Sequence, residues 1–159
     1  MKNLGLCCLL LTGLAFQSCK NEKANDAKTA PAKAEKPISV NCYKALYEND
    51  TLELKLNTLK DGKVSGNMVM KMYAMSEKVG TIEGEFHGDT LFADYSFTQG
   101  KNENAIFKNP LAILKRGDTL ILGNGKIETY LGRSYFAKGA PIDFDRVKYK
   151  FTTVDCVDK

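Results

Sequence analysis

The chain has 159 residues, with 23 Lys and Arg against 19 Asp and Glu, and its formal net charge is +4. This length has room for one domain with a substantial core between short terminal segments, which excludes a second domain. The lysines are interleaved with acidic residues and form no basic block, so the charge pattern gives no indication of a nucleic-acid partner.

The first part of the chain has the features of an export signal. Lys2 supplies a positive start, residues 4–16 form an apolar run too short to span a bilayer, and the small Ser18 stands directly before Cys19. This arrangement resembles a bacterial lipoprotein signal peptide. The resemblance implies removal of residues 1–18 and lipidation of Cys19.

A tether is predicted to follow the signal. Residues 20–37 are rich in Lys, Ala, Glu and Asn and contain no aromatic side chain, which is too little apolar surface to offset the entropy of ordering. Fully extended, such a segment reaches at most about 60 Å. In the lipoproteins that the signal resembles, Lys20 would favour the outer membrane, on its periplasmic face or at the cell surface. Ordinary secretory cleavage after Ala15 is the alternative, and either route exports the chain.

From residue 38 onward, apolar and polar residues alternate in short runs separated by Gly, Asn and Asp, which predicts β-strands. Leu52, Leu54 and Leu56 show the pattern most clearly. Pro110 interrupts an apolar run; proline favours an edge, a bulge or a strand boundary, and a bend is predicted there. The least regular stretch is predicted to be a long loop. The successive runs are 51–57, 63–72, 80–87, 91–97, 105–114, 119–122 continued by 126–131, and 146–156, and the loop is 132–145.

Seven or eight consecutive strands with short turns predict an all-β domain over residues 38–159, built as one closed antiparallel up-and-down β-barrel of about eight strands. Glycines inside the runs, such as Gly66, Gly80, Gly84 and Gly123, suit the bends of a small barrel. A two-sheet sandwich is the alternative. The signal, the Lys/Ala tether, the strand meander and a Cys near each end resemble the small lipocalin-like lipoproteins of Gram-negative envelopes. This resemblance implies a lipocalin-like barrel and supplies no catalytic residues.

The cysteines reduce to one pair. Cys7 and Cys8 lie in the signal and Cys19 would carry lipid, which leaves Cys42 and Cys156 near the ends of the barrel domain. In an oxidising envelope compartment this pair is predicted to form a disulfide between the first and last strands. Free buried thiols, or one reactive thiol, are the alternatives.

A methionine stripe is the most suggestive chemical feature. Met68, Met70 and Met72 share one face of a run and are predicted to fill the barrel interior with adaptable side chains. If the barrel is incompletely filled, the same face would line a site for an apolar small molecule or lipid. Together with Met75, the thioethers would instead suit Cu(I). The residues predicted to line the apolar site are Met68, Met70, Met72, Phe86, Tyr95 and Phe97.

Three further motifs are explained best by turns. Asp-Thr-Leu occurs three times at predicted strand starts, and it also resembles the acceptor site of a bacterial O-glycosylation system, which implies sugar on Thr51, Thr90 and Thr119. His87 is expected to be an exposed residue at a strand end. Residues 116–118, Arg-Gly-Asp, are expected to form a hairpin turn.

The sequence therefore predicts a monomeric, non-enzymatic, lipid-anchored envelope protein with no cofactor and no metal site. Its barrel would bind an apolar small molecule, a lipid or another envelope protein. An interaction or inhibitor module with a filled barrel, using the loop at residues 132–145, and a methionine-rich Cu(I)-binding lipoprotein are the alternatives.

Overall fold

A computed structural model describes residues 36–157, so the predicted signal, Cys19 and almost all of the tether lie outside the described residues. The regular structure between residues 36 and 157 is all β. Eight strands form a closed barrel, in which each strand pairs antiparallel with the barrel strands that precede and follow it and the last closes on the first. The predicted up-and-down barrel is confirmed, and the two-sheet alternative is wrong.

The barrel is interrupted by one long insertion between its last two strands. Residues 132–145, predicted to be a loop, contain two short strands, and residues 126–131 leave the barrel instead of continuing its wall. The barrel strands are β1 (Ser39–Tyr47), β2 (Asp50–Thr58), β3 (Lys63–Lys71), β4 (Lys78–His87), β5 (Thr90–Gln99), β6 (Asn102–Arg116), β7 (Thr119–Leu122) and β12 (Lys150–Val154). The insertion carries β8 (Asn124–Gly125), β9 (Ile127–Tyr130), β10 (Arg133–Phe136) and β11 (Ile142–Asp143), with β9 paired to β10 and β8 to β11.

The hydrophobic core fills the barrel because alternate residues of each strand point inward. Leu52, Leu54 and Leu56 of β2 are 0%, 2% and 4% exposed, while the polar residues between them are only partly covered. The other strands contribute to the same cluster in the same way. Its remaining buried members are Ala45, Val64, Met68, Ile82, Leu91, Ala93, Tyr95, Phe97, Leu111, Ile113, Leu120 and Phe151.

The strand glycines permit close approach between neighbouring strands. Gly80 lies opposite Phe97, and a Cβ added to Gly80 would stand 2.6 Å from the Cα of Phe97. Gly84 lies opposite Ala93 with the same separation from its Cα. These positions exclude a side chain because real Cβ atoms essentially never come within 3 Å of a neighbouring heavy atom. The backbones of β4 and β5 thus approach closely at these two positions.

Pro110, where the sequence predicted a bend, stands inside the unbroken strand β6 at a position that pairs with a barrel strand on one side only. β6 continues through Pro110 in register with Asp94 of β5, whereas pairing of β6 with β7 begins only at Ile113. The N–H that proline lacks would point to the side of β6 that has no paired strand at this position, so no strand hydrogen bond is lost.

The chain ends are joined at one end of the barrel. Cys42 of β1 forms a disulfide with Cys156, two residues beyond β12, and their Cα atoms are 5.2 Å apart. The predicted pairing is confirmed. The insertion leaves and re-enters the barrel at the opposite end, which we call the insertion end.

Candidate functional site

The methionine stripe is divided between the core and the insertion end. Met68 is fully buried, Met70 packs partly against the core, and Met72 follows the last residue of β3. Met75 lies in the next turn and is 53% exposed. The four thioethers that a Cu(I) site would share therefore run from the centre of the barrel to its surface.

The other predicted lining residues are also divided. Tyr95 and Phe97 are almost completely buried and stack with ring centroids 4.7 Å apart, and the Tyr95 hydroxyl donates a hydrogen bond of 3.0 Å to the carbonyl oxygen of Met68. Burial raises the pKa of Tyr95 well above its usual value. Phe86, predicted to be inward, lies near the opposite end of β4 and is 36% exposed. Of the six predicted lining residues, Met70, Tyr95 and Phe97 line one small cavity at the insertion end, whereas Met68, Met72 and Phe86 do not.

The space left inside the barrel is small. A cavity of about 160 Å³ remains at the insertion end, between inward residues such as Met70 and Leu122 and the insertion residue Phe136. Pockets for drug-sized ligands usually measure about 300–1,000 Å³. This cavity is therefore about half the volume of the smallest such pockets.

A hydrogen-bonded latch fastens the returning chain to the insertion end. The Tyr149 hydroxyl donates to Oδ2 of Asp50 over 2.6 Å, and the backbone N–H of Tyr73 donates to Oδ1 over 2.7 Å. These two hydrogen bonds, the first the stronger, lower the pKa of Asp50. Desolvation and the bond to Asp50 raise the pKa of Tyr149 to about 12. The latch holds the segment before β12 against the start of β2.

A wide concavity lies outside the barrel, against its wall. We call it the outer groove; it measures about 750 Å³, compared with about 550 Å³ for a second groove beside Cys42. The outer faces of β4, β5 and β6 form its floor, and β10 forms a side wall. The floor and ends are lined by Lys63, Glu83, Glu85, His87, Phe92, Asp94 and Pro110, and the wall by Arg133, Ser134, Tyr135 and Phe136.

The outer groove combines aromatic surface with charges of both signs. The His87 and Phe92 rings meet edge to face, with their centroids 5.8 Å apart. Nε2 of His87 lies 2.9 Å from Oε1 of Glu85. Asp94 is paired with Lys108 at 2.8 Å. The part of the chain that the structure describes provides no ion pair for Glu83 or Arg133.

The sequence pointed to only part of this groove. His87 was expected to be an exposed residue at a strand end, which is confirmed, and Glu83 and Glu85 alternate outward as period two requires. The wall was missed because β10 has four residues, too few to show a periodicity. The local sequence sign of a hairpin there was Gly132, and in the structure its φ is 76°.

The repeated turn motifs occupy the positions that the sequence predicted. Thr90 and Thr119 are the first residues of β5 and β7, and Thr51 is the second residue of β2. Each of the three side chains is partly exposed. The Arg-Gly-Asp tripeptide forms the turn between β6 and β7, with Gly117 at φ of 61°. Its Arg116 side chain also contacts Asp145 of the insertion at 3.4 Å.

Two further findings concern the region from residue 36 to residue 157. No three His, Cys, Asp or Glu side chains there are grouped so that they could hold a metal ion. The same residues include no helix long and apolar enough to cross a membrane. Comparison of the chain with protein-family models, with curated proteins and with solved structures returned no match.

Proposed function

We propose that the chain is a lipid-anchored, non-enzymatic protein of the cell envelope whose barrel binds another envelope protein through the outer groove. The partner would present an extended or loop segment to the floor formed by β4, β5 and β6, against the wall formed by β10. The barrel itself would serve as the rigid support for this surface.

The contrast between a filled interior and an open outer groove carries this proposal. The barrel centre is occupied by side chains such as Met68 and Tyr95, and the cavity beside them is about 160 Å³. The outer groove is more than four times larger and is open to solvent along the barrel wall. A macromolecular segment fits such a surface better than a small apolar molecule fits the barrel.

The chemistry of the outer groove supports a protein partner. Phe92 and Tyr135 are each 40% exposed, and aromatic residues together with Arg are enriched where proteins contact one another. Glu83 and Arg133 add one charge of each sign at the same surface. A partner segment with apolar side chains and complementary charges would cover the aromatic rings and neutralise both groups.

The proposed location rests on the sequence features outside the barrel. The signal and Cys19 favour a lipid anchor in the outer membrane, on the periplasmic side or at the surface, and the Cys42–Cys156 disulfide suits an oxidising compartment. We further propose sugar on one or more of Thr51, Thr90 and Thr119. Intact mass measurement of protein purified from native membranes would report the lipid and any sugar together.

Site-specific photo-crosslinking in the native cells tests the protein-binding proposal. A photoreactive phenylalanine analogue replaces Tyr135 or Phe92 in the outer groove, and Leu46 in the control. Leu46 is 67% exposed on β1, which is separated from β5 by three strands in either direction around the barrel. We expect the same discrete adduct from both groove positions and none from the control.

Charge reversals make the test specific. Glu83→Arg and Arg133→Glu should each lower the adduct yield at Tyr135 by several-fold, because each variant repels the group that the native charge attracts. An adduct that also forms at Leu46, or a yield that neither reversal changes, would contradict binding in the outer groove.

A further inference from the structure

The turn between β9 and β10 holds a leucine in an unfavourable backbone conformation. Tyr130 pairs with Arg133, so Leu131 and Gly132 form a two-residue hairpin loop. Their φ angles are 49° and 76°, both in the left-handed region. Such loops favour Asn or Asp followed by Gly, since a bulky side chain at positive φ crowds the backbone. Leu131 therefore occupies a position where its side chain hinders the fold.

The same leucine gains nothing from packing that would offset the strain. Leu131 is 87% exposed and its neighbour Tyr130 is 67% exposed. An exposed apolar side chain on a strained turn is the kind of outlier that points to function outside the folded chain. We call residues 130–133 the hairpin tip.

One cationic side chain adjoins the apolar ones at the hairpin tip, and two more lie at the base of the hairpin. Arg133 is part of the hairpin tip, and Lys126 and Lys138 lie near the base of the hairpin, where Lys126 pairs with Glu128 at 3.0 Å. Leu suits the acyl region of a lipid leaflet, Tyr suits the boundary with the headgroups, and Arg binds phosphate. The hairpin tip thus combines the residue types that favour a membrane interface.

We propose that the hairpin tip inserts Leu131 and Tyr130 into the lipid surface to which Cys19 anchors the chain. The inference rests on the lipid anchor of the proposed function. The predicted tether would extend to at most about 60 Å, more than the width of a domain of this size, roughly 35 Å, so its length would not prevent the hairpin from meeting the membrane. The contact would fix which way the outer groove faces.

Tethering also explains how so small a contact can be sufficient. Insertion of one leucine and one tyrosine gives weak affinity for free protein, but an anchored domain meets the surface at a high effective concentration. A protruding tip suits a deformable lipid surface, whereas a rigid protein partner would need a matching cavity. A protein that accepts the hairpin tip is the competing outcome of the test.

Vesicle flotation measures the contact without the acyl chain. The exported chain carrying Cys19→Ser is mixed with vesicles of phosphatidylethanolamine and phosphatidylglycerol, and the bound fraction gives a partition coefficient. We expect Leu131→Asn to lower this coefficient at least about tenfold, which is the effect of withdrawing one buried leucine.

A matched variant and a stability measurement separate insertion from misfolding. Leu46→Asn removes another exposed leucine, from β1, and should leave partitioning unchanged. Leu131→Asn should leave the melting temperature unchanged or raise it, because Asn tolerates positive φ. Lost binding by a variant that is at least as stable cannot come from unfolding.

The inference is overturned if the unlipidated protein does not float even at millimolar lipid, where burial of one leucine and one tyrosine should still bind a measurable fraction, or if Leu131→Asn and Leu46→Asn partition equally there. If either result is found while the crosslinks in the outer groove still form, only the membrane contact of the hairpin tip is refuted, and protein binding in the outer groove stands. Release of the Cys19-containing protein from membranes by high salt would instead remove the lipid anchor on which the contact depends.

Discussion

The Cys42–Cys156 disulfide should supply a large part of the stability of the barrel. It closes the seam where pairing is shortest: β1 pairs with β12 only from Cys42 to Lys44, and β12 pairs with β7 only at Lys150 and Phe151. The crosslink spans a sequence separation of 114. The chain-entropy relation for a loop of that length gives about 4.8 kcal/mol at 25 °C, against a total of roughly 5–15 kcal/mol for a typical domain.

Urea unfolding of Cys42→Ala/Cys156→Ala measures this contribution, in a chain that begins at residue 19 and carries Cys19→Ser, so that no other thiol interferes. We expect the free energy of unfolding to fall by about 4–5 kcal/mol. The m-value should rise, because the unfolded chain loses its largest constraint and exposes more surface. The parent protein in reductant should unfold like the variant. A loss below about 1 kcal/mol, or an unchanged m-value, would refute the argument.

Two further predictions concern the barrel wall and the latch. Gly80→Ala should destabilise the protein by about 3 kcal/mol in the same assay, because the new Cβ would meet the Ser96 carbonyl and the Phe97 backbone. Thr81→Ala, on the exposed face of the same strand, is the control. Equal losses of stability in the two variants would contradict the close approach at Gly80. The pKa of Asp50 is lower in the folded protein than its unfolded value of about 3.8. Ionised Asp50 therefore stabilises the fold at pH values above about 3.8, and this contribution is lost as the pH falls through the folded pKa. The raised pKa of Tyr149 means that its neutral hydroxyl stabilises the fold at pH values below 10. This stabilisation is lost as the pH rises from 10 to about 12. Tyr149→Phe should therefore flatten both limbs of the stability profile measured by thermal melts, and a profile identical to the parent's would show that the latch contributes nothing.

The barrel could be predicted because each wall strand has one buried face over many residues. Leu52, Leu54 and Leu56 point into the core while the residues between them meet solvent, so nine residues of β2 repeat the same signal. Gly-Asp and Asp-Gly pairs then mark the turns. The disulfide followed from the count of cysteines and from closure of the barrel, which brings the first and last strands together.

The insertion could not be predicted because its order comes from contacts that are distant in the sequence. A Cβ on Gly123 would meet the Phe144 ring at 2.5 Å, and one on Gly125 would meet the Phe136 ring at 2.7 Å. These glycines are typical of turns in the sequence, yet in the fold the rings of Phe144 and Phe136 pack against them. Only the fold shows which ring covers which glycine, so the wall of the outer groove could not be predicted from local pattern.

The position of the insertion explains how one chain can separate stability from recognition. The wall of the outer groove and the hairpin tip both belong to the insertion, whereas the core belongs to the barrel. The Asp50–Tyr149 latch and the disulfide hold the barrel on the C-terminal side of the insertion, at opposite ends of the last strand. Side chains such as Leu131 and Tyr135 can therefore change without opening the barrel. A strained, exposed leucine is tolerable in such a segment, because its cost falls on the hairpin while the closed barrel supplies the stability of the domain.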